Sequence, residues 1–202
     1  MTRKIISIEN LSSKVKKAKQ QGQKIVHCHG VFDLLHIGHI KHFNEAKSHG
    51  DILVVTVTPD EYVNKGPNRP AFTTKLRLEA LAALESIDFV AKNEWPTAIK
   101  TIKKIKPDIY FKGPDYKDHK DDVTGMIREE SRAIESVGGQ IMYSTDITFS
   151  SSSILNRYTD LYSEEQKSFI YSIRKEIGSA DVKTILEGLK DLKVLVIGET
   201  II

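Results

Sequence analysis

The stretch His29-Gly30-Val31-Phe32-Asp33-Leu34-Leu35-His36-Ile37-Gly38-His39 lies where one type of sequence pattern gives way to another. Residues 24–29 form a short apolar run of strand length, whereas residues 34–48 carry apolar side chains at helical spacing. The stretch therefore predicts a buried strand, a tight turn and a helix. His36 and His39 fall in the first turn of that helix.

The rest of the chain alternates in the same way, and this alternation decides the fold class. Strands are predicted at residues 24–29, 51–58, 89–91, 108–112 and 140–143, and helices at residues 34–48, 75–86, 96–106 and 124–137. Strands that alternate with helices form parallel units with right-handed crossovers. We therefore expect an α/β fold with an open, parallel, five-stranded Rossmann-like sheet, helices on both faces and a helical C-terminal extension.

Composition excludes several classes of protein. The chain has 202 residues, of which 40% are hydrophobic, enough for one full domain. A net charge of +3 is too small to indicate a nucleic-acid-binding surface. The single cysteine, Cys28, can form no internal disulfide, and no apolar run is long enough for a signal peptide or a membrane span. We expect a cytoplasmic protein with no nucleic-acid or membrane partner.

The histidine segment is the first candidate site. His36 and His39 are three residues apart, so they share one helix face. Backbone N–H groups at a helix start are unpaired and attract anions, and Gly38 lets a phosphate approach the backbone closely. Two imidazoles placed there can donate hydrogen bonds to phosphate oxygens that gain charge in a transition state.

Two alternatives to this interpretation stay open. The histidines can be ordinary surface or core residues, since the His-x-Gly-His pattern is short. A metal site is the other alternative, because five of the seven histidines lie within sixteen residues: His27, His29, His36, His39 and His42. A zinc site usually includes cysteine or carboxylate at recognisable spacing, however, and none is evident, so we assign no metal ligand.

Three later segments are predicted at the same edge, because the carboxyl ends of parallel strands lie together. Lys65 and Arg69, in the loop after the second strand, can neutralise phosphates. Lys112 can contact a phosphate at the end of the fourth strand, and Asp115 can hydrogen-bond a sugar hydroxyl or a base edge. The alternatives are an exposed basic turn and a Gly-Pro turn with a capping aspartate.

A serine run is the third of these segments. Ser150, Ser151 and Ser152 precede a predicted helix, so their hydroxyl and N–H groups can hold phosphates. An ordinary helix cap, which needs only one serine, is the alternative.

Stretch 29–39 resembles the hallmark of the cytidylyltransferase-like nucleotidylyltransferases, a family that includes glycerol-3-phosphate cytidylyltransferase and part of ADP-heptose synthase. The resemblance runs from about residue 11 to residue 157 and includes the Lys-Gly loop, the Lys-Gly-x-Asp-Tyr turn and the closing serine motif. It implies transfer of a nucleotidyl group from ATP or CTP to a sugar or polyol phosphate, with release of pyrophosphate. It also implies Mg²⁺ bound with the nucleotide, and a possible homodimer. A cofactor-type adenylyltransferase and a non-catalytic nucleotide-binding domain are the alternative functions.

The residues and the resemblance together assign the site. We predict catalytic roles for His36, His39, Lys65 and Arg77, the last because it occupies the position of a family arginine; by itself it is typical of a helix surface. We predict nucleotide contacts for Gly30, Val31, Phe32, Asp33, Gly38, Lys112, Gly113, Asp115, Ser150, Ser151 and Ser152, with Asp33 orienting the turn.

The closing motif and the tail refine the resemblance. Glycerol-3-phosphate cytidylyltransferase has Arg-Thr-x-Gly-Ile-Ser-Thr, whereas Thr145 falls near the arginine position here, which leaves ATP and CTP both open. Heptose-type enzymes also lack that arginine. Residues 193–199 resemble the first strand of ribokinase-type sugar kinases. We therefore expect a nucleotidylyltransferase domain at 1–157, a helical linker at 158–190 and, at 191–202, the first strand of a truncated kinase domain; a terminal strand that pairs with the sheet or a partner is the alternative.

Overall fold

All five predicted strands form, and they build one parallel sheet. The computed structural model describes residues 2–64, 69–114, 126–145, 164–176 and 178–189. The strands are β1 (Ile25–Gly30), β2 (Ile52–Val57), β3 (Phe89–Lys92), β4 (Ile109–Lys112) and β5 (Gln140–Tyr143). Their order is β3-β2-β1-β4-β5, and each neighbouring pair is parallel. The order reverses between β1 and β4, which makes the carboxyl end of that pair the switch point of the sheet.

Helices cover both faces of the sheet. They are α1 (Ile8–Gln20), α2 (Ile37–Ser48), α3 (Thr74–Ala82), α4 (Ile99–Ile105) and α5 (Ile127–Ser136). Alternate residues of β1 serve the two faces: Cys28 packs with Phe43 of α2 and Leu81 of α3, whereas Ile25 packs with Leu11 of α1 and Ile105 of α4. The predicted Rossmann-like fold is confirmed, and both faces of the central strands are covered as their apolar sequences indicate.

Helices α2 and α4 begin later than predicted, for local reasons. Helix α2 begins at Ile37 rather than Leu34, because His36 has extended backbone angles and caps the helix with its side chain. Helix α4 begins at Ile99 rather than Pro96, because the Asn93 side chain donates hydrogen bonds to carbonyl groups of the preceding segment. In both cases a side-chain hydrogen bond replaces the first helical turn.

The chain divides into two compact units, Met1–Ile154 and Leu155–Ile202. The second unit contains the helices α6 (Glu164–Glu176) and α7 (Ser179–Gly188), in agreement with the predicted helical extension. The helix predicted from residue 150 and the strand predicted at residues 191–202 lie outside the described residues. In the part of the chain that the structure describes, no helix is both long and apolar enough to cross a membrane.

Candidate active site

The turn after β1 is held in a left-handed conformation at Phe32, which has a φ of 49°. This brings the Phe32 ring back over Gly30, where an added Cβ would lie only 2.9 Å from Cζ of the ring. The same ring meets His39 edge-on at a centroid distance of 5.6 Å and Phe43 at 5.1 Å. Gly30 is therefore required by the packing of Phe32, and the turn is fixed against α2.

The Asp33 side chain holds this turn in place by hydrogen bonds to a distant segment of the chain. Its buried carboxylate accepts hydrogen bonds from the backbone N–H groups of Ala71 and Phe72, both at 2.9 Å, and from Nε of Arg69 at 2.8 Å. Burial raises the pKa of Asp33, but these donors outweigh it and hold the pKa below its ordinary value. The Asp33 carboxylate thus joins the turn after β1 to residues 69–72, at the end of the loop that contains Lys65 and Arg69.

Arg77 occupies an unexpected position. Its guanidinium group is completely buried and donates hydrogen bonds to the carbonyl groups of Val31 (2.5 Å) and Phe72 (3.0 Å). It also binds the Asp60 carboxylate at 2.6 Å and the Thr74 hydroxyl at 3.1 Å. The predicted catalytic role does not fit this burial, because the donors are directed at protein oxygens. Arg77 instead positions the backbone of the turn.

His36 and His39 lie together at the start of α2, with ring centroids 3.9 Å apart. The Nδ1 atom of His36 accepts a hydrogen bond from the Gly38 N–H group at 3.1 Å, which caps the helix. Burial lowers the pKa of His36, so the ring is neutral at neutral pH. Because Nδ1 is the acceptor, the single proton of the neutral ring is assigned to Nε2.

That Nε2 atom is the most informative atom of the site. It is buried, and it has no hydrogen-bond partner among the residues that the structure describes. A buried N–H group without an acceptor costs roughly 1–3 kcal/mol. An anionic oxygen at the N-terminus of α2 would supply the missing acceptor, and the backbone there favours the same charge.

Lys112 approaches the switch point from β4. Its side chain is 8% exposed, and Nζ lies 3.2 Å from a carboxylate oxygen of Glu130 on α5. Burial is the main cause that lowers the pKa of His29 and of His42 to about 4, and the Lys112 charge acts in the same direction on both. The Lys112 charge therefore acts on a side chain of β1 and on one of α2. Gly113 follows directly and ends the strand.

The other three histidines of the cluster, His27, His29 and His42, contact side chains of the sheet. His27 and His29 both contact the Thr56 hydroxyl, at 2.8 Å and 2.9 Å, and His29 also contacts Thr58 at 3.2 Å. The His42 ring packs against Phe111 at a centroid distance of 5.1 Å. The five clustered histidines therefore do not form one site: His27 and His29 contact Thr56, His36 contacts His39, and His42 contacts Phe111. Within the described segments, no group of three or more His, Cys, Asp or Glu side chains is placed to hold a metal ion.

The sequence did not single out Glu130 or Glu45, although both bind predicted site elements. The Glu45 carboxylate accepts hydrogen bonds from the Ser144 hydroxyl and from the Thr145 N–H and hydroxyl groups, which ties the end of β5 to α2. Glu130 occupies the buried stripe of α5 with Ile127, Ala133 and Ile134. An acidic residue on an apolar helical stripe is the signal that could have revealed it.

The structure brings Gly30, Phe32, Gly38 and the two histidines into one group of contacts, and it places Val31 in the same turn through its carbonyl contact with Arg77. The assignments to Lys65, Asp115, Ser150, Ser151 and Ser152 lie outside the described residues and stay predictions.

A comparison with known protein families matches residues 27–157 to the cytidylyltransferase-like model. The chain belongs to this family. The match covers the turn, the histidine segment, the second half of β1 and all of β2 to β5, and it confirms the predicted resemblance. It identifies the chain as a member of a nucleotidyltransferase family.

Curated relatives include the bifunctional protein HldE of Sulfurimonas denitrificans, 40% identical over 138 residues, which are 67% of this chain and 29% of the relative. HldE of Geobacter metallireducens is 34% identical over 165 residues, 80% of this chain and 32% of that protein. The chain therefore spans about a third or less of the length of these relatives.

Two solved structures have similar folds. A lipopolysaccharide core biosynthesis protein from Thermoplasma volcanium has 29% identity and a TM-score of 0.53; the match covers 63% of this chain and 100% of that chain. A pantoate-beta-alanine ligase from Francisella tularensis has 18% identity and a TM-score of 0.52, with 83% and 85% covered, and shows the fold alone.

Proposed function

We propose that this chain transfers a nucleotidyl group from ATP or CTP to the phosphate of a sugar or polyol phosphate and releases pyrophosphate. The family membership supports the reaction class. The resemblance to the heptose-type enzymes supports a sugar acceptor of the heptose type, and one similar structure is that of a lipopolysaccharide core biosynthesis protein. The observation that carries the proposal is the buried Nε2 atom of His36, a donor at the N-terminus of α2 without an acceptor among the described residues.

The proposed reaction is a direct displacement at the α-phosphorus. An oxygen of the acceptor phosphate forms a bond to this phosphorus, and the bond to the bridging oxygen of the leaving pyrophosphate breaks. The acceptor phosphate is already ionised at neutral pH, so no general base is required. The non-bridging α-phosphate oxygens gain charge in the transition state, and His36 and His39 donate hydrogen bonds to them.

Positive charge and the metal ion complete the proposed site. Lys112 contacts a phosphate group from the β4 side, and Lys65 is proposed to do so from the basic loop. Mg²⁺ enters with the nucleotide as part of the substrate, because phosphate oxygens are the hard ligands that this ion prefers. Ser150, Ser151 and Ser152 are proposed to bind the β- and γ-phosphates.

The proposal is tested by measuring pyrophosphate release with MgATP or MgCTP and a panel of phosphorylated sugars and polyols. His36→Ala and His39→Ala should each lower kcat by about 10²-fold or more, as loss of a transition-state donor predicts. His36→Asn retains a side-chain oxygen that can cap α2. Compared with His36→Ala, this variant should therefore recover stability but not turnover.

His49→Ala, at the opposite end of α2, is the matched control and should leave turnover unchanged. Unaffected turnover in both His36 and His39 variants would contradict the assigned mechanism. Turnover only with a phosphorylated cofactor precursor would identify the chain as a cofactor-type adenylyltransferase. Nucleotide binding without turnover of any acceptor would identify a non-catalytic domain.

We further propose that the chain works as part of a bifunctional kinase and nucleotidyltransferase, on the basis of the resemblance of residues 193–199 to a kinase strand. The reading frame of the gene tests this, since a stop codon directly after Ile202 would contradict it. A homodimer and a cytoplasmic location stay predictions.

A further inference from the structure

A buried ion pair joins the end of β4 to the middle of α5. The Lys112 and Glu130 side chains are 8% and 7% exposed, and Nζ of Lys112 lies 3.2 Å from Oε2 of Glu130. The pair is thus removed from water on both sides, unlike the partly exposed pairs that Lys19 and Lys47 form with aspartates. Both charges of this pair are therefore desolvated, whereas the charges of a surface ion pair stay in contact with water.

Stability alone does not account for this pair. Removing two charges from water costs several kcal/mol per ion, and well-packed apolar residues usually stabilise a fold equally well. The rest of the buried stripe on α5 is apolar, formed by Ile127, Ala133 and Ile134, so an apolar residue at position 130 would continue it. A function for the Lys112 charge explains why its partner is buried there.

The surroundings of Lys112 restrain its position. Oε2 of Glu130 also accepts a hydrogen bond from the Tyr110 hydroxyl at 3.0 Å, which orients the carboxylate. Tyr110 lies two residues before Lys112 on β4, so both side chains project from the same face of the sheet. The Tyr110 ring centroid is 5.4 Å from the Lys112 ammonium group, within the range of a cation–π contact.

The location of the pair connects it with the site. β4 lies beside β1 at the switch point, and His27 of β1 is paired in register with Tyr110. The two strands are parallel and end at Gly30 and Lys112, so the turn after β1 and the Lys112-Gly113 segment leave the sheet at the same edge. The ammonium group is therefore held at the edge where ligands bind in this class of fold.

We propose that Glu130 is a positioning residue for nucleotide binding, which holds the Lys112 ammonium group at the switch point with Tyr110 as its support. This inference rests on the proposed function, in which Lys112 contacts a phosphate group. Glu130 acts through Lys112 and touches no substrate. The ligand it serves is the anionic phosphate chain of a magnesium-bound nucleoside triphosphate.

A double-mutant cycle tests the inference by calorimetric binding of MgATP and MgCTP to wild type, Lys112→Met, Glu130→Gln and the double variant. Each single variant should bind nucleotide about tenfold more weakly, within the range seen for residues in contact. The double variant should bind no more weakly than Lys112→Met alone, because Glu130 has nothing to position once the ammonium group is gone. If Glu130 had only a structural role, Glu130→Gln would weaken nucleotide binding equally with and without the Lys112 ammonium group.

Tyr110→Phe provides a second variant in case Glu130→Gln fails to fold. It keeps the ring and removes only the hydroxyl, so it should weaken nucleotide binding by a smaller factor and should also have no effect in the Lys112→Met background. Glu129→Gln, on the exposed side of α5, is the matched control and should bind like wild type.

The outcomes separate the inference from the function on which it rests. Additive losses in the double variant, or tighter binding by Glu130→Gln, would overturn the positioning role and leave Lys112 in place. Wild-type affinity in Lys112→Met would overturn the phosphate contact itself, and the inference with it. If wild type binds neither nucleotide and releases no pyrophosphate, the proposed function fails as a whole.

Discussion

His36 combines two roles in the atoms of one ring. Nδ1 caps α2 by accepting a hydrogen bond from Gly38, and this leaves the proton of the neutral ring on Nε2, which has no acceptor among the described residues. The cap therefore determines which nitrogen donates. Neutrality matters to this division of roles, because a protonated ring could no longer accept at Nδ1.

The buried histidines should make stability depend on pH. Burial lowers the pKa of His29 and His42 to about 4 from an unfolded value of 6.5, so the unfolded chain binds protons more readily than the folded one. Their contribution is fully present above pH 6.5 and is lost as the pH falls toward 4. The free energy of unfolding, measured with urea between pH 7 and pH 4.5, should therefore decrease.

His42→Phe tests this reason directly. The substitution keeps an aromatic ring against Phe111 and removes one titrating group, so stability should fall less steeply over the same pH range. The carboxylates of Asp33, Asp60 and Glu45 each have a pKa below the ordinary value, so their contribution to stability is lost mainly below that ordinary value, and it is present in the variant as well as in wild type. An unchanged pH slope in this variant would contradict the assignment.

Three different parts of the chain hold the turn between β1 and α2. The amides of residues 71 and 72 bind Asp33, the Arg77 guanidinium binds the Val31 carbonyl, and the Phe32 ring packs against α2. A backbone that is fixed from several directions needs little rearrangement to bind a ligand, which is a source of affinity.

Arg77→Met should destabilise the N-terminal unit by about 2–4 kcal/mol, because the carbonyl groups of Val31 and Phe72 lose the donors of a buried guanidinium group. Arg77→Lys should not restore stability, since an ammonium group cannot reproduce the geometry of the guanidinium fork. Urea unfolding measures both effects. The control is Lys75→Met, an exposed position of the same helix, which should be neutral. Full stability in Arg77→Met would show that the buried contacts are dispensable.

The order of the strands in the sheet brings together site residues from distant parts of the sequence. β1 and β4 are neighbours although two strands lie between them in the chain, so Lys112 reaches the same edge as the histidine segment. The carboxylate of Glu45 then ties the end of β5 to α2. The site therefore depends on the sheet order as much as on any single motif.

Nucleotide binding should stabilise the folded chain as a whole. A ligand that binds only the folded state at one hundred times its Kd raises the free energy of unfolding by about 2.7 kcal/mol. Thermal unfolding with MgATP and MgCTP side by side should show this increase for the substrate nucleotide. The Lys112→Met variant should show less of it at the same concentration. No stabilisation by either nucleotide would contradict the proposed site.

Periodicity and short motifs depend on residues that are close along the chain, and for that reason the amino-acid sequence is enough to predict the five strands, the parallel fold, the histidines at the helix start and the family. Three findings required the folded chain: Arg77 is buried, Glu130 binds Lys112, and His36 caps α2 with one nitrogen and leaves the other without a partner among the described residues. Burial and hydrogen bonding depend on what distant segments place around a side chain. The spacing of residues along the chain does not predict which distant segments will surround a side chain.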